Sequence, residues 1–110
     1  MPRDSCPTLH IYAQDIFHAS AYIIANREGL KRLKDAIDEA LVDGVGQSKV
    51  VFTSDGEGYE VFVGRTTTER QWLGLQMPYT DHNFCGKPVG TSPWAFLHRL
   101  RPAFRVRVHE

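Results

Sequence analysis

One amphipathic segment near the middle of the chain constrains its fold more than any other feature. Asn26 is a favourable N-cap residue, Glu28 falls in the first turn, and Gly44 supplies a stop. Between them, apolar residues recur at helical spacing: Leu30, Leu33, Ile37 and Leu41, with Ala36 and Ala40 beside them. We predict a helix from Arg27 to about Val42, with its apolar side on a sheet and its charged side in water.

Two short segments rich in β-forming residues precede this helix. Residues 9–12 are apolar enough for a strand, and residues 21–25 contain two isoleucines that suit a pleated, buried surface. Residues 13–20 have no clear period, which favours a loop between the two strands.

The segments after the helix predict a hairpin. Residues 44–46 form a Gly-rich connection, and residues 49–53 and 59–65 are two β-type segments on either side of the turn 54–58. The Asp-Gly pair in that turn favours chain reversal, because glycine tolerates a positive φ. Residues 72–77 predict a further antiparallel strand, interrupted by a glycine.

The last third of the chain contains a long loop and then regular structure. Glycine and proline are frequent in residues 78–93, which predicts a loop. Ser92 is a suitable cap and Pro93 a suitable first residue for a short helix that extends to about Leu100. Apolar residues then alternate with arginines over 104–108, the pattern of a half-buried terminal strand.

These elements predict an α+β fold in which a largely antiparallel sheet is covered by one main helix, with a short C-terminal helix and a terminal strand. The 110 residues, 42% of them hydrophobic, suffice for one core, so we expect a single domain over residues 1–110. No run approaches the roughly 18 apolar residues of a membrane helix. Residues 1–10 contain two prolines and two charges in place of an apolar signal core, so we expect a cytoplasmic protein.

Residues suited to catalysis or metal binding are sparse. The five histidines form no HxH, HxxxH or HExxH pair, and Cys6 and Cys85 have no CxxC spacing. The densest group of ligand types is Asp-His-Asn-Phe-Cys at 81–85, but neighbouring side chains on a loop need not converge. We expect no catalytic residue, metal or cofactor, with a minor metal-dependent enzyme that uses the 78–93 loop as an open alternative.

Charge is unevenly distributed along the chain although it sums to zero. Residues 28–60 hold eight acids and four bases, a net charge of −4, and residues 86–110 hold five bases and one acid, a net charge of +4. Within the predicted helix the bases come first, so the acids crowd the negative end of the helix dipole. A solvated face explains this order, and an anionic surface that receives a basic partner is the sharper alternative.

Three segments together suggest a family resemblance. Residues 21–30 (Ala-Tyr-Ile-Ile-Ala-Asn-Arg-Glu-Gly-Leu), 35–38 (Asp-Ala-Ile-Asp) and 55–59 (Asp-Gly-Glu-Gly-Tyr) resemble small bacterial immunity proteins of polymorphic toxin systems. The resemblance covers residues 21–80 and carries over no defined binding residue. It implies a non-catalytic cytoplasmic inhibitor with a complementary surface, which is often acidic when the toxin is a basic nuclease.

We therefore expect a small binding protein, most concretely an immunity protein that neutralises a cognate toxin domain by direct contact. The predicted partner-binding residues are all acidic: Asp35, Asp38, Glu39, Asp43, Asp55 and Glu57. The alternative is a small nucleic-acid-binding regulator that uses the basic C-terminal end, through Arg99, Arg101, Arg105 and Arg107. We expect no membrane contact, and a homodimer through an edge strand stays open.

Overall fold

The computed structural model of the chain describes residues 6–79 and 90–100. In chain order the elements are β1 (Leu9–Tyr12), β2 (Tyr22–Ala25), α1 (Arg27–Asp43), β3 (Val45–Gln47), β4 (Val51–Phe52), β5 (Gly58–Tyr59), β6 (Phe62–Gly64), a 3₁₀ helix (Glu69–Trp72) and α2 (Pro93–Leu100). The strands form three antiparallel pairs, β1 with β2, β3 with β6, and β4 with β5. The predicted α+β class is confirmed, whereas the predicted terminal strand at 104–108 lies outside the described residues.

Both ends of α1 agree with the signals in the sequence. The Asn26 Oδ1 atom accepts hydrogen bonds from the backbone N–H of Gly29 at 2.9 Å and of Thr8 at 3.0 Å. Gly44 ends the helix with a φ of 94°, and its N–H donates to the Ala40 carbonyl at 2.8 Å. The predicted helix is confirmed, and its N-cap residue also joins it to the start of β1.

The buried face of α1 is not the one predicted. Its buried residues are small: Gly29, Ala36 and Ala40. The larger apolar residues on the neighbouring side are exposed by 48%, 41% and 62%: Leu30, Ile37 and Leu41. Close approach of β3 explains the difference, because a Cβ atom on Gly46 would lie 1.9 Å from the Ala36 carbonyl oxygen. A large side chain on this face of the helix would push β3 away.

The strand β3 was not predicted at all. Residues 44–46 were predicted to be a Gly-rich connection. Val45–Gln47 are instead buried and pair with β6, so that Gly46 lies opposite Val63. A three-residue strand that contains glycine has almost no local signal. Its burial comes from α1 on one side and from its partner strand.

The predicted hairpin is confirmed in its first part and wrong in its second. Val51 lies opposite Tyr59 and Phe52 opposite Gly58, as the Asp-Gly turn predicts. Residues 62–64 pair with β3 instead of β4, so residues 59–65 are not one strand. The change of partner occurs where the Ser48 N–H donates to the Val61 carbonyl at 2.9 Å and Ser48 Oγ accepts the Val61 N–H at 2.8 Å.

The C-terminal helix α2 closes a small hydrophobic core. Its predicted start is confirmed, because Ser92 Oγ accepts the Ala95 N–H at 3.3 Å. Leu97 packs on the fully buried Val45, with Phe62 against them. The strand predicted at 72–77 is wrong: the 3₁₀ helix occupies its beginning, and a single bridge from Leu75 to Thr91 is its only β pairing among the described residues. Neither α1 nor α2 is long and apolar enough to span a membrane.

Candidate partner-binding surface

Three of the four acids predicted on α1 lie in solvent. Asp35, Asp38 and Asp43 are exposed. Lys34 Nζ donates to Asp38 Oδ2 at 2.9 Å, and this hydrogen bond with its charge attraction raises the pKa of Lys34. Both side chains are exposed, so the pair adds little to stability. Asp35 and Asp43 form no ion pair in the described part of the chain.

Glu39 has a different environment from the other helix acids. It is half-buried, and its Oε1 atom accepts the backbone N–H of Gln47 at 2.9 Å. This hydrogen bond satisfies a donor of β3 and holds the strand to α1. Glu39 therefore serves the fold, and a role for it in partner contact stays a prediction.

The C-terminal half of α1 also exposes apolar side chains, among them Leu41, whose helical spacing predicted that it would be buried. Leu41 and Val42 are exposed by 62% and 79%. Successive residues of an α-helix are about 100° apart, so Leu41 and Val42 alternate around the helix with Asp38 and Asp35. We call this set the outer α1 surface: Asp35, Ile37, Asp38, Leu41, Val42 and Asp43. The adjacent pair Leu41 and Val42 indicates this surface in the sequence. Neighbouring helix residues are about 100° apart, so the two side chains cannot both lie on one narrow buried stripe.

The other two predicted acids lie in the turn between β4 and β5. The Thr53 hydroxyl donates to the Asp55 carboxylate and accepts the Glu57 N–H at 3.1 Å, while the Thr53 N–H donates to the Glu57 carbonyl at 2.9 Å. The Thr53 hydroxyl, followed by the backbone N–H of Glu57, lowers the pKa of Asp55. Asp55 therefore stays ionised over a wider range of pH than an ordinary aspartate.

His10 connects this turn to β1. Its Nε2 atom accepts the Ser54 N–H at 2.9 Å, so the proton of the neutral ring is on Nδ1, which lies 2.6 Å from the Tyr12 hydroxyl. An open cleft of about 670 Å³ lies beside this contact, with Asp55 and Glu57 on its wall. Both ring nitrogens of His10 are engaged, so His10 holds the turn to β1.

The structure thus divides the predicted acidic surface between two places. One part is on α1, which packs mainly against β3, and the other is the β4–β5 turn, which is bonded to β1 through His10. In residues 6–79 and 90–100 no group of three or more His, Cys, Asp or Glu side chains is placed to hold a metal ion. The 81–85 group of possible ligands lies outside these residues.

The basic end proposed for the nucleic-acid alternative is described only at Arg99. Its guanidinium donates to the Leu73 carbonyl and to Thr91 Oγ1, both at 3.1 Å, and lies 5.7 Å from the centre of the Phe96 ring. These contacts hold α2 to the preceding segment, so they engage Arg99 within the protein. Arg101, Arg105 and Arg107 lie beyond the described part of the chain: residues 101–110.

Comparisons with known proteins find no family model, no curated protein and no solved structure that matches the chain. Among the described residues, Val42 of the outer α1 surface has the largest exposed fraction of any large apolar side chain, 79%, and Asp35 and Asp43 of the same surface form no ion pair.

Loss of the Thr53 hydroxyl should raise the pKa of Asp55 towards its ordinary range, because that hydroxyl is the main stabiliser of the carboxylate. A group with a lowered pKa stabilises the fold above its unfolded value, and this contribution is lost as pH falls through the folded value. We expect Thr53→Val to shift the carboxyl titration of Asp55, measured by NMR, to higher pH. Thr67→Val, at a threonine away from this turn, should leave the titration unchanged. An unchanged titration in Thr53→Val would contradict the hydrogen bond.

Proposed function

We propose that this chain is a small, non-catalytic, cytoplasmic binding protein, an immunity protein that neutralises a cognate bacterial toxin by direct contact. The observation that carries the proposal is the composition of the outer α1 surface. Exposed apolar side chains there alternate with carboxylates, whereas the helix face against β3 consists of small residues. Exposed apolar groups with a charged rim are typical of protein–protein contact sites.

The charge of this surface indicates the chemistry of the partner. Asp35 and Asp43 are unpaired within the described residues, and Asp43 lies at the end of the helix where negative charge is unfavourable. The last turn of α1 contains no basic residue that would offset this charge. A basic partner surface would offset this unfavourable arrangement and would be attracted over long range. A cationic toxin domain, such as a nuclease, meets that requirement.

The proposal is tested by co-expression with a toxin domain, sought first among the genes that neighbour the gene for this protein. We expect wild type to restore growth and to form a complex with the purified toxin. The double variant Asp35→Lys and Asp43→Lys should bind at least about tenfold more weakly at low salt, and the difference should shrink at high salt. Asp38 and Glu39 are left unchanged, because each already contacts another group of the protein.

A matched control separates a local effect from a change in total charge. Asp15→Lys with Glu69→Lys changes two other exposed acids by the same amount and should keep wild-type affinity. The helix variant should also unfold at the same urea concentration as wild type or higher, since lysine suits a helix C-terminus. Failure to protect cells would contradict the immunity function. Protection with equal affinity in both double variants would keep the function and refute the outer α1 surface.

A further inference from the structure

Within the described part of the chain, β2 has one edge that pairs with no other strand. Among the described residues its one strand neighbour is β1, and the segment 16–26 around it contains no Asp, Glu, Lys, Arg or Pro. Soluble proteins usually block an open edge with a charge, a proline or a bulge, because unpaired N–H and C=O groups there invite another strand. None of these devices is present on β2.

The hydrogen-bond pattern shows which backbone groups face outwards. Thr8 lies one position before β1, opposite Asn26 in the register, and its carbonyl accepts the Asn26 N–H at 3.1 Å. Hydrogen-bonded pairs alternate along an antiparallel ladder, so the backbone groups of Tyr22 and Ile24 bond to β1. The backbone N–H and C=O groups of Ala21, Ile23 and Ala25 therefore point away from β1. On the other side of β1 the Tyr59 hydroxyl donates to the Leu9 carbonyl, which agrees with this alternation.

We propose that β2 pairs with β2 of a second copy of this chain, antiparallel about a two-fold axis at Ile23. Ile23 then lies opposite its own copy as a hydrogen-bonded pair, and Ala21 lies opposite Ala25. The two hairpins become one four-stranded sheet in the order β1, β2, β2, β1. Such a contact is isologous and closes after two copies.

The side chains of β2 favour this register. Around Ile23 the strand has the same size order in both directions, Ala, large, Ile, large, Ala, so the two-fold places Tyr22 beside Ile24 of the other copy. Aromatic and β-branched neighbours across strands are a stabilising pair. Tyr22 and Ile24 are exposed by 59% and 64%, so both are free to make the contact.

The β1–β2 pair itself favours a second copy of this chain, rather than an unrelated protein, as the strand that pairs with β2. Two strands alone are marginally stable in water, and this pair exposes large apolar side chains on both faces. Doubling the sheet adds main-chain hydrogen bonds and side-chain contacts from a chain that is always present. The edge carries no charged side chain that would attract a basic toxin. The dimer forms without a toxin, so this inference goes beyond the proposed function.

Sedimentation of the full chain over a range of concentrations tests the pairing. We expect wild type to be a dimer, and Ile23→Lys, which sets two lysines opposite each other, to raise its dissociation constant at least about tenfold. The matched control is Ile11→Lys. Ile11 lies directly opposite Ile23 on β1 and is similarly exposed, at 44% against 53%, but it is not at the edge.

A second experiment remains informative if the lysine variant unfolds. In a chain with both cysteines changed to serine, Ile23→Cys should form a crosslinked dimer on oxidation, since hydrogen-bonded pairs place Cα atoms about 5.5 Å apart. Ile11→Cys should not. A monomeric wild type, an equal loss of dimer in both lysine variants, or no crosslink through position 23 would each overturn the proposal.

Discussion

Gly46→Ala should destabilise the protein by about 3 kcal/mol, although it adds a single methyl group. The new Cβ would lie 1.9 Å from the Ala36 carbonyl oxygen and 3.0 Å from the Ala40 nitrogen. Both are backbone atoms of α1, so no rotamer change relieves the overlap. The strand or the helix must move, and the buried face between them opens.

A second glycine provides the control for backbone conformation. Gly44 has a φ of 94°, and no atom of a segment distant in the chain lies within 4 Å of its would-be Cβ. Gly44→Ala should therefore cost only the strain of that conformation, about 1 kcal/mol. Urea unfolding of both variants measures the difference. Equal losses would show that β3 does not run against α1 at this distance.

Leu9→Ala should cost about 2–5 kcal/mol, because Leu9 is fully buried and alanine leaves a cavity. Ile37→Ala should change stability by no more than about 0.5 kcal/mol, since Ile37 is 41% exposed. The two residues are similar in volume and chemistry, so the contrast measures burial.

Both free energies of unfolding come from chemical denaturation with a shared slope. A loss in Ile37→Ala as large as that in Leu9→Ala would place Ile37 in the core, as its spacing in the sequence predicts. It would also remove Ile37 from the outer α1 surface. The same measurement thus tests the fold and the availability of this side chain for a partner.

The elements that the sequence determined are those with local signals at their ends. An N-cap residue bonds a neighbour three positions away, as Asn26 does with Gly29, and a glycine stop needs only its own backbone at Gly44. The Asp-Gly turn and the Ser-Pro start of α2 are of the same kind. These signals involve residues close together in the chain, so they can be read before the fold is known.

Tertiary structure decided which surfaces those elements bury. The helix could present either its leucines or its alanines to a strand, and Gly46 of β3 selects the alanines because it approaches within reach of the Ala36 carbonyl. The same contact buries β3, which has no local signal. It also leaves Leu41 and Val42 in solvent, whereas the helical spacing of the leucines predicted Leu41 on the buried side. Burial depends on which distant segment comes to lie against a residue, and that is a property of the assembled chain.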